Sequence, residues 1–121
     1  MKFWKTEKAD TLPVNWIGMK APEDVDRAIA ASKEQQVAIF KHSTRCGISS
    51  TAYNRLSTVA DSGNSVPVFF IDVILHRDIS NLVENRLGVK HESPQLLLLR
   101  NGKVEEHFSH LAIEGSQIIR V

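Results

Sequence analysis

The chain has 121 residues, 42% of them hydrophobic, which suits one compact domain with a real core and leaves no room for a second. Fifteen basic against fourteen acidic residues give a formal charge of +1, with no basic stripe interleaved with aromatics, so nucleic acid is not an expected partner. A single cysteine excludes an intramolecular disulfide framework and cannot by itself ligate a structural zinc, which favours a reducing compartment and points to the cytoplasm.

No membrane association is expected. The most apolar stretch, 66–75, contains Pro67 and Asp72 and falls well short of the about 20 residues a span requires. The start, Met1-Lys2-Phe3-Trp4-Lys5, runs into charges instead of an apolar signal core.

Residues 1–21 carry Trp4, Trp16, lysines and prolines without periodicity and read as an irregular N-terminal arm whose tryptophans pack on the domain formed by 22–121. Pro22-Glu23-Asp24 opens a first helix over about 23–34, with proline in the first turn and acids at the positive end of the peptide dipole. Val37-Ala38-Ile39-Phe40 is the core of a buried strand over about 36–41. Ile48, Ala52, Leu56, Val59 and Ala60 then recur at steps of three and four, the face of a helix over about 46–61 that Gly63-Asn64 stops. A second apolar strand spans 67–74. Asp78 is placed to cap a third helix whose apolar face is Ile79, Leu82, Val83 and Leu87, with Gly88 closing it. Asn101-Gly102 between two strand-like runs, 95–100 and 103–109, is a strong hairpin signal. A last short helix over about 113–121 is weakened by Gly115.

Cys46 stands where the first strand turns into the second helix, in Lys41-His42-Ser43-Thr44-Arg45-Cys46-Gly47-Ile48-Ser49. A sulfur in the first turn faces unpaired backbone N–H groups and the positive dipole end, both of which favour thiolate. Thr44 or Ser43 is placed to cap, and Lys41, Arg45 and protonated His42 add positive potential. An inert buried cysteine is the competing reading.

The order helix, strand, helix, strand, helix, hairpin, helix predicts an α/β domain with a mixed four-stranded sheet covered by helices on both faces. This is the thioredoxin-like plan, in which the reactive cysteine at the strand–helix junction is faced by a proline just before the hairpin. Cys46 and Pro94 hold those two positions, and the topology raises the expectation of a cis Ser93-Pro94 bond above the about 5–6% base rate.

Three separated motifs narrow the reading. Phe40-Lys41-His42-Ser43-Thr44-x-Cys46-x-Ile48-Ser49, then Val89-Lys90-His91-Glu92-Ser93-Pro94-Gln95, then Asn101-Gly102-Lys103-Val104 with His107-x-Ser109-His110, resemble the bacillithiol-system thioredoxin-like family YtxJ, the monothiol bacilliredoxins, over about 23–119. The resemblance implies removal of the low-molecular-weight thiol bacillithiol from S-thiolated client proteins in the cytoplasm. Cys46 matches the family's active-site cysteine and Pro94 its cis-proline; Gly47 departs from a proline often found after the cysteine.

The chemistry constrains the mechanism independently. With one cysteine the attacked group cannot be resolved internally, so Cys46 ends as a mixed disulfide that an external thiol or reductase must clear. The resemblance implies that the small thiol is bacillithiol, acting as a co-substrate, and no tightly bound cofactor or metal is expected. Ser49 takes the place of the second cysteine of a Cys-x-x-Cys pair, and its hydroxyl, or the N–H groups of Ile48 and Ser49, is placed to hold the thiolate. Arg45 can receive carboxylates of a small anionic thiol, and His42 can assist proton transfer. The match of His91-Glu92-Ser93-Pro94 to the family motif implies a substrate side there, where the residue before a cis-proline pairs with a bound chain as an added strand does. His107 and His110 lie at an irregular strand end without a ligand cluster, which makes a metal site a poor reading.

Two alternatives stay open at this level. Cys46-Gly47-Ile48-Ser49 is close to the Cys-Gly-Phe-Ser motif of monothiol glutaredoxins, which hold an iron–sulfur cluster between two subunits, although the Val-Pro and Gly-Gly signatures of those proteins are absent. A thioredoxin-like binding module without turnover is the other.

Overall fold

A computed structural model describes residues 12–120 of the chain. Its sheet has five strands in the order β1-β3-β2-β4-β5: β1 (Trp16–Gly18), β2 (Val37–His42), β3 (Val68–Asp72), β4 (Gln95–Arg100) and β5 (Lys103–Ser109). β2 runs parallel to β3 and antiparallel to β4. The helices are α1 (Pro22–Ala31), α2 (Gly47–Asp61) and α3 (Arg77–Leu87). The expected α/β plan is present, a mixed sheet covered on both faces, with one strand more than the four expected.

The extra strand is β1, drawn from the segment expected to be irregular. Three residues are too few to show a period, and what makes them a strand is pairing with β3 in the register Trp16↔Val68, Ile17↔Phe69 and Gly18↔Phe70. The packing expected of the tryptophans holds for Trp16, whose ring lies 5.4–5.9 Å from those of Phe40, Tyr53 and Phe70. Trp4 lies outside the described residues.

Alternation along β2 divides the core. Ala38 and Phe40 point to the face covered by Ala52, Leu56 and Ala60 of α2. Val37 and Ile39 point to the opposite face, covered by Val25 and Ala28 of α1 and Ile79 and Val83 of α3. The α2 face begins at buried Ser49 instead of Ile48, which is 40% exposed.

Element ends show where tertiary contacts override local signals. Asp24 reaches back from the first turn of α1 to accept the N–H groups of Lys20 (2.9 Å) and Ala21 (3.1 Å). These bonds, that of Lys20 first, hold its carboxyl below the usual carboxylate range against the opposing effect of burial. α1 stops at Ala31, short of 34, because Ser32 is taken by the hairpin: its carbonyl accepts Asn101 N–H (2.7 Å) and its hydroxyl accepts Gly102 N–H (2.8 Å). Asn101 and Gly102 both have positive φ, 56° and 80°, as a two-residue Asn-Gly hairpin requires. α3 has His76, not Asp78, at its N-cap; Asp78 sits inside the first turn, and Gly88 closes the helix at φ 76°.

The expected C-terminal helix is replaced by two 3₁₀ turns, His110–Ala112 and Gly115–Ile118, laid against α2. Arg55 of α2 donates to the carbonyls of Leu111 (3.1 Å) and Ile113 (2.9 Å). Gly115 fits so closely that a Cβ there meets Val59 Cγ2 at 2.7 Å and the Arg55 carbonyl oxygen at 2.8 Å. Because one obstacle is backbone, Gly115→Ala is expected to lower stability by about 1–3 kcal/mol. Chemical denaturation measures this, and an unchanged midpoint would show that the segment moves aside freely.

Candidate active site

Parallel strands β2 and β3 end at the same edge of the domain, and β5 ends there too, because β4 runs antiparallel to both β2 and β5. The thiol lies at this edge. From β2 the chain makes a turn in which Cys46 N–H donates to the Ser43 carbonyl (3.2 Å), and α2 follows at once. Cys46 itself is the N-cap, with extended φ −116° and ψ 124°, and is half-buried. Thr44 and Ser43 therefore do not cap; Thr44 and Arg45 are exposed in the turn. Ser50 N–H bonds the Cys46 carbonyl (3.1 Å), which leaves the N–H groups of Ile48 and Ser49 at the place where an N-cap side chain accepts.

Ser49 has a different task from the one expected of its hydroxyl. Fully buried, its Oγ accepts Ser43 N–H (2.9 Å) and lies 2.8 Å from His42 Nδ1. The hydroxyl is thus engaged by both the turn and the ring, and where His42 carries its proton on Nε2 the hydroxyl proton goes to Nδ1. Ser49 ties the turn to the end of β2. Its backbone N–H keeps the expected place near Cys46.

His42 is likewise placed in the interior. It is 7% exposed, with ring centroids of Phe40, Tyr53 and Phe70 at 5.1–5.7 Å. Burial pushes its pKa down, against the opposing charge of Asp72, so the ring is neutral at neutral pH and adds no positive potential at the thiol. Lys41, also expected to supply such potential, turns to the other face and is fully buried; its Nζ lies 3.3 Å from the Ser80 carbonyl oxygen and 3.3 Å from His91 Nδ1. Of the three basic groups expected around the sulfur, Arg45 is the one left exposed in the turn.

Pro94 follows a cis peptide bond and is buried. The register pair Lys41↔Gln95 brings it level with His42, beside the turn that carries Cys46. Its carbonyl accepts the N–H of His110 (3.0 Å), a residue held at φ 57°, and Glu92 lies 3.5 Å from the His110 ring. Ser93 Oγ is buried with no hydrogen-bond partner among the described residues. The structure thus brings together Cys46, Gly47, Ile48, the backbone of Ser49, and the 92–94 segment. It places His42 and the Ser49 hydroxyl behind the site as supports.

Sequence reasoning missed Ser80 and Glu84 of α3. Ser80 Oγ lies 2.8 Å from His91 Nδ1, and Glu84 accepts His91 N–H (3.1 Å). No local pattern links positions eleven and seven apart across a helix end. It also missed an apolar rim on the same edge: Ile48, Ile74 (41% exposed), Leu75 (73%) and Leu111 (58%). A groove of about 540 Å³ lies between the ends of β1 and β3, lined in part by Met19, Phe70, Asp72 and His76, and Cys46 is not in its wall. Among the described residues no group of three or more His, Cys, Asp or Glu converges, and no helix is long and apolar enough to cross a membrane.

Two predictions follow from this geometry. Gly47 is the first helical residue, a Cβ there meets nothing within 4 Å, and Cys46 before it already has the extended backbone that precedes proline. Gly47→Pro is therefore expected to stabilise the protein by about 0.4–1 kcal/mol. A lowered denaturation midpoint would contradict that fit. His42 and His91 both have pKa values pushed below that of free imidazole, chiefly by burial. Their contribution to stability is complete above about pH 6.5 and is lost as the pH falls, because the unfolded chain then binds more protons. Urea midpoints are expected to drop between about pH 7 and about pH 5, before ordinary carboxylates titrate; a flat profile would show that neither ring is buried in solution.

Comparison with known proteins bears on the family and the fold. A family model described as monothiol bacilliredoxin BrxC matches residues 17–118. A solved structure assigned as an oxidoreductase with a thioredoxin fold is 28% identical at TM-score 0.74, covering 84% of this chain and 88% of that one. Thioredoxins show the same fold at lower identity. A mutant from Halobacterium salinarum is 19% identical at TM-score 0.62, covering 84% and 83%, and one from Nicotiana alata is 21% identical at TM-score 0.64, covering 84% and 85%. A thioredoxin-like domain with a single cysteine at the strand–helix junction, opposite a cis-proline and matched along most of its length, belongs to the monothiol bacilliredoxin family.

Proposed function

We propose that the protein removes a low-molecular-weight thiol, bacillithiol, from mixed disulfides on client proteins, taking the adduct on Cys46. The observation that carries this reading is the position of the lone thiol, half-buried at the N-cap of α2, at the sheet edge where the β2–β4 register also brings the cis peptide of Pro94.

In the reaction the Cys46 thiolate attacks the small-thiol sulfur of the client mixed disulfide. One S–S bond forms between Cys46 and the small thiol as the bond to the client breaks, and the client leaves as a thiolate. No net oxidation occurs, and the backbone N–H groups that receive the attacking charge lose it as the bond forms. Ser49 stands where a resolving cysteine would stand, buried and bonded to Ser43 and His42, so the adduct remains until an external thiol or reductase attacks it. A single cysteine kept as a thiol fits a reducing cytoplasm.

Recognition divides between the client and the small thiol. The apolar rim of Ile48, Ile74, Leu75 and Leu111 suits a client surface. Ser93, before the cis-proline, pairs with an extended chain. Arg45, exposed in the turn beside the sulfur, is the group suited to a carboxylate of the small thiol.

Mass spectrometry of the protein incubated with a bacillithiolated client is expected to show one adduct on Cys46 and release of the free client. Cys46→Ser should do neither. An unmodified Cys46 beside a client that stays modified would sink the proposal.

A further inference from the structure

Lys41 is the most conspicuous group that the exchange chemistry leaves unused. It is 0% exposed, and no carboxylate lies within ion-pair distance of it among the described residues. Burying an ammonium without a counter-ion is costly, so its neighbours indicate what it holds.

Those neighbours converge on the loop between α3 and β4. Lys41 Nζ stands 3.3 Å from His91 Nδ1 and 3.3 Å from the Ser80 carbonyl oxygen. The Ser80 hydroxyl lies 2.8 Å from the same ring nitrogen, whose one lone pair it shares with the ammonium when the ring carries its proton on Nε2, and Glu84 accepts the His91 N–H. One residue earlier, the Lys90 carbonyl accepts the amide of Gln95, the β4 residue paired with Lys41 across the sheet. His91 is thus fixed through ring and backbone three residues before Pro94, and Lys41 is the cation in that fixture. It reaches the loop from the face of the sheet opposite α2.

We propose that Lys41 is a positioning residue for thiol exchange: its buried ammonium holds His91, and through it the 92–94 segment that walls Cys46, so that loss of the charge loosens the wall without altering the thiol. The inference rests on the exchange reading for its consequence but not for its geometry.

The charged and titratable groups facing this amine are Arg77 and Glu84 of α3 and His91 of the loop, with Glu92 acting on His91 in turn. Burial lowers the Lys41 pKa to about 8, with Glu84 opposing and Arg77 assisting. His91 is pushed down by burial and by Lys41, so it stays neutral across the range in which the amine loses its proton.

The direct test follows the backbone amides of Glu92 and Ser93 by NMR between about pH 7 and about pH 9, in a Cys46→Ser background so that no thiol titrates. Both are expected to shift with a midpoint near that of Lys41, about 8, and to lose the shift in Lys41→Met. Amides that stay flat in the unsubstituted Lys41 protein overturn the proposal, whether or not the variant folds. In the exchange assay Lys41→Met should raise KM for the mixed disulfide about tenfold, since misplacement of about 1 Å can cost up to ~10²-fold. Alkylation of Cys46 by iodoacetamide should stay within about twofold of wild type. Unchanged KM overturns the proposal, and so does alkylation that slows in parallel. If no adduct ever forms on Cys46, the exchange reading fails, while the amide titration still decides whether Lys41 holds the loop.

Discussion

β2 is paired on both edges from Ala38 to Lys41 and is buried along its whole length, so its two last residues, Lys41 and His42, carry polar side chains into the interior. Each must find partners there or pay full desolvation. His42 finds the Ser49 hydroxyl among aromatic rings, and Lys41 finds Ser80 and His91. A short turn then leads from the strand end to Cys46 and α2, so the two anchors flank the base of that turn from opposite faces of the sheet. The shape of the reactive edge follows from how a buried strand end satisfies its hydrogen bonds.

The two anchors act on opposite walls of the site. Through Ser49, His42 fixes the turn that carries Cys46, since the same hydroxyl accepts the N–H of Ser43. Through His91, Lys41 fixes the approach to Pro94. Where a Cys-x-x-Cys pair would place its second cysteine, Ser49 is a buried brace. The single-thiol character of the protein is therefore built into its packing as well as into its cysteine count.

Several elements were legible in the chain because their causes are local. The Asn101-Gly102 hairpin depends on two positive φ values that these residues accept, and the closure of α3 at Gly88 depends on one. The α2 stripe of Ala52, Leu56 and Ala60 follows helical spacing, and Cys46 at a strand–helix junction follows from adjoining patterns of different period. Other features depend on what arrives from a distance. β1 exists through β3, α1 ends where the hairpin takes Ser32, and the C-terminal segment stays 3₁₀ where Gly115 is pressed against Val59 and Arg55.

The sequence by itself determined the order of elements from α1 to the β4–β5 hairpin, the one thiol at a strand–helix junction and the absence of a second cysteine, because each is a property of neighbouring residues or of composition. Only the tertiary structure decided which face each polar residue of 41–49 takes. Alternation along a strand buried on both sides gives Lys41 and His42 opposite directions but does not say which helix each meets. Ser49 is a brace, Arg45 is the exposed cation of the turn, and Lys41 reaches the far wall of the site, because burial gives each of these groups one set of partners that sequence separation conceals.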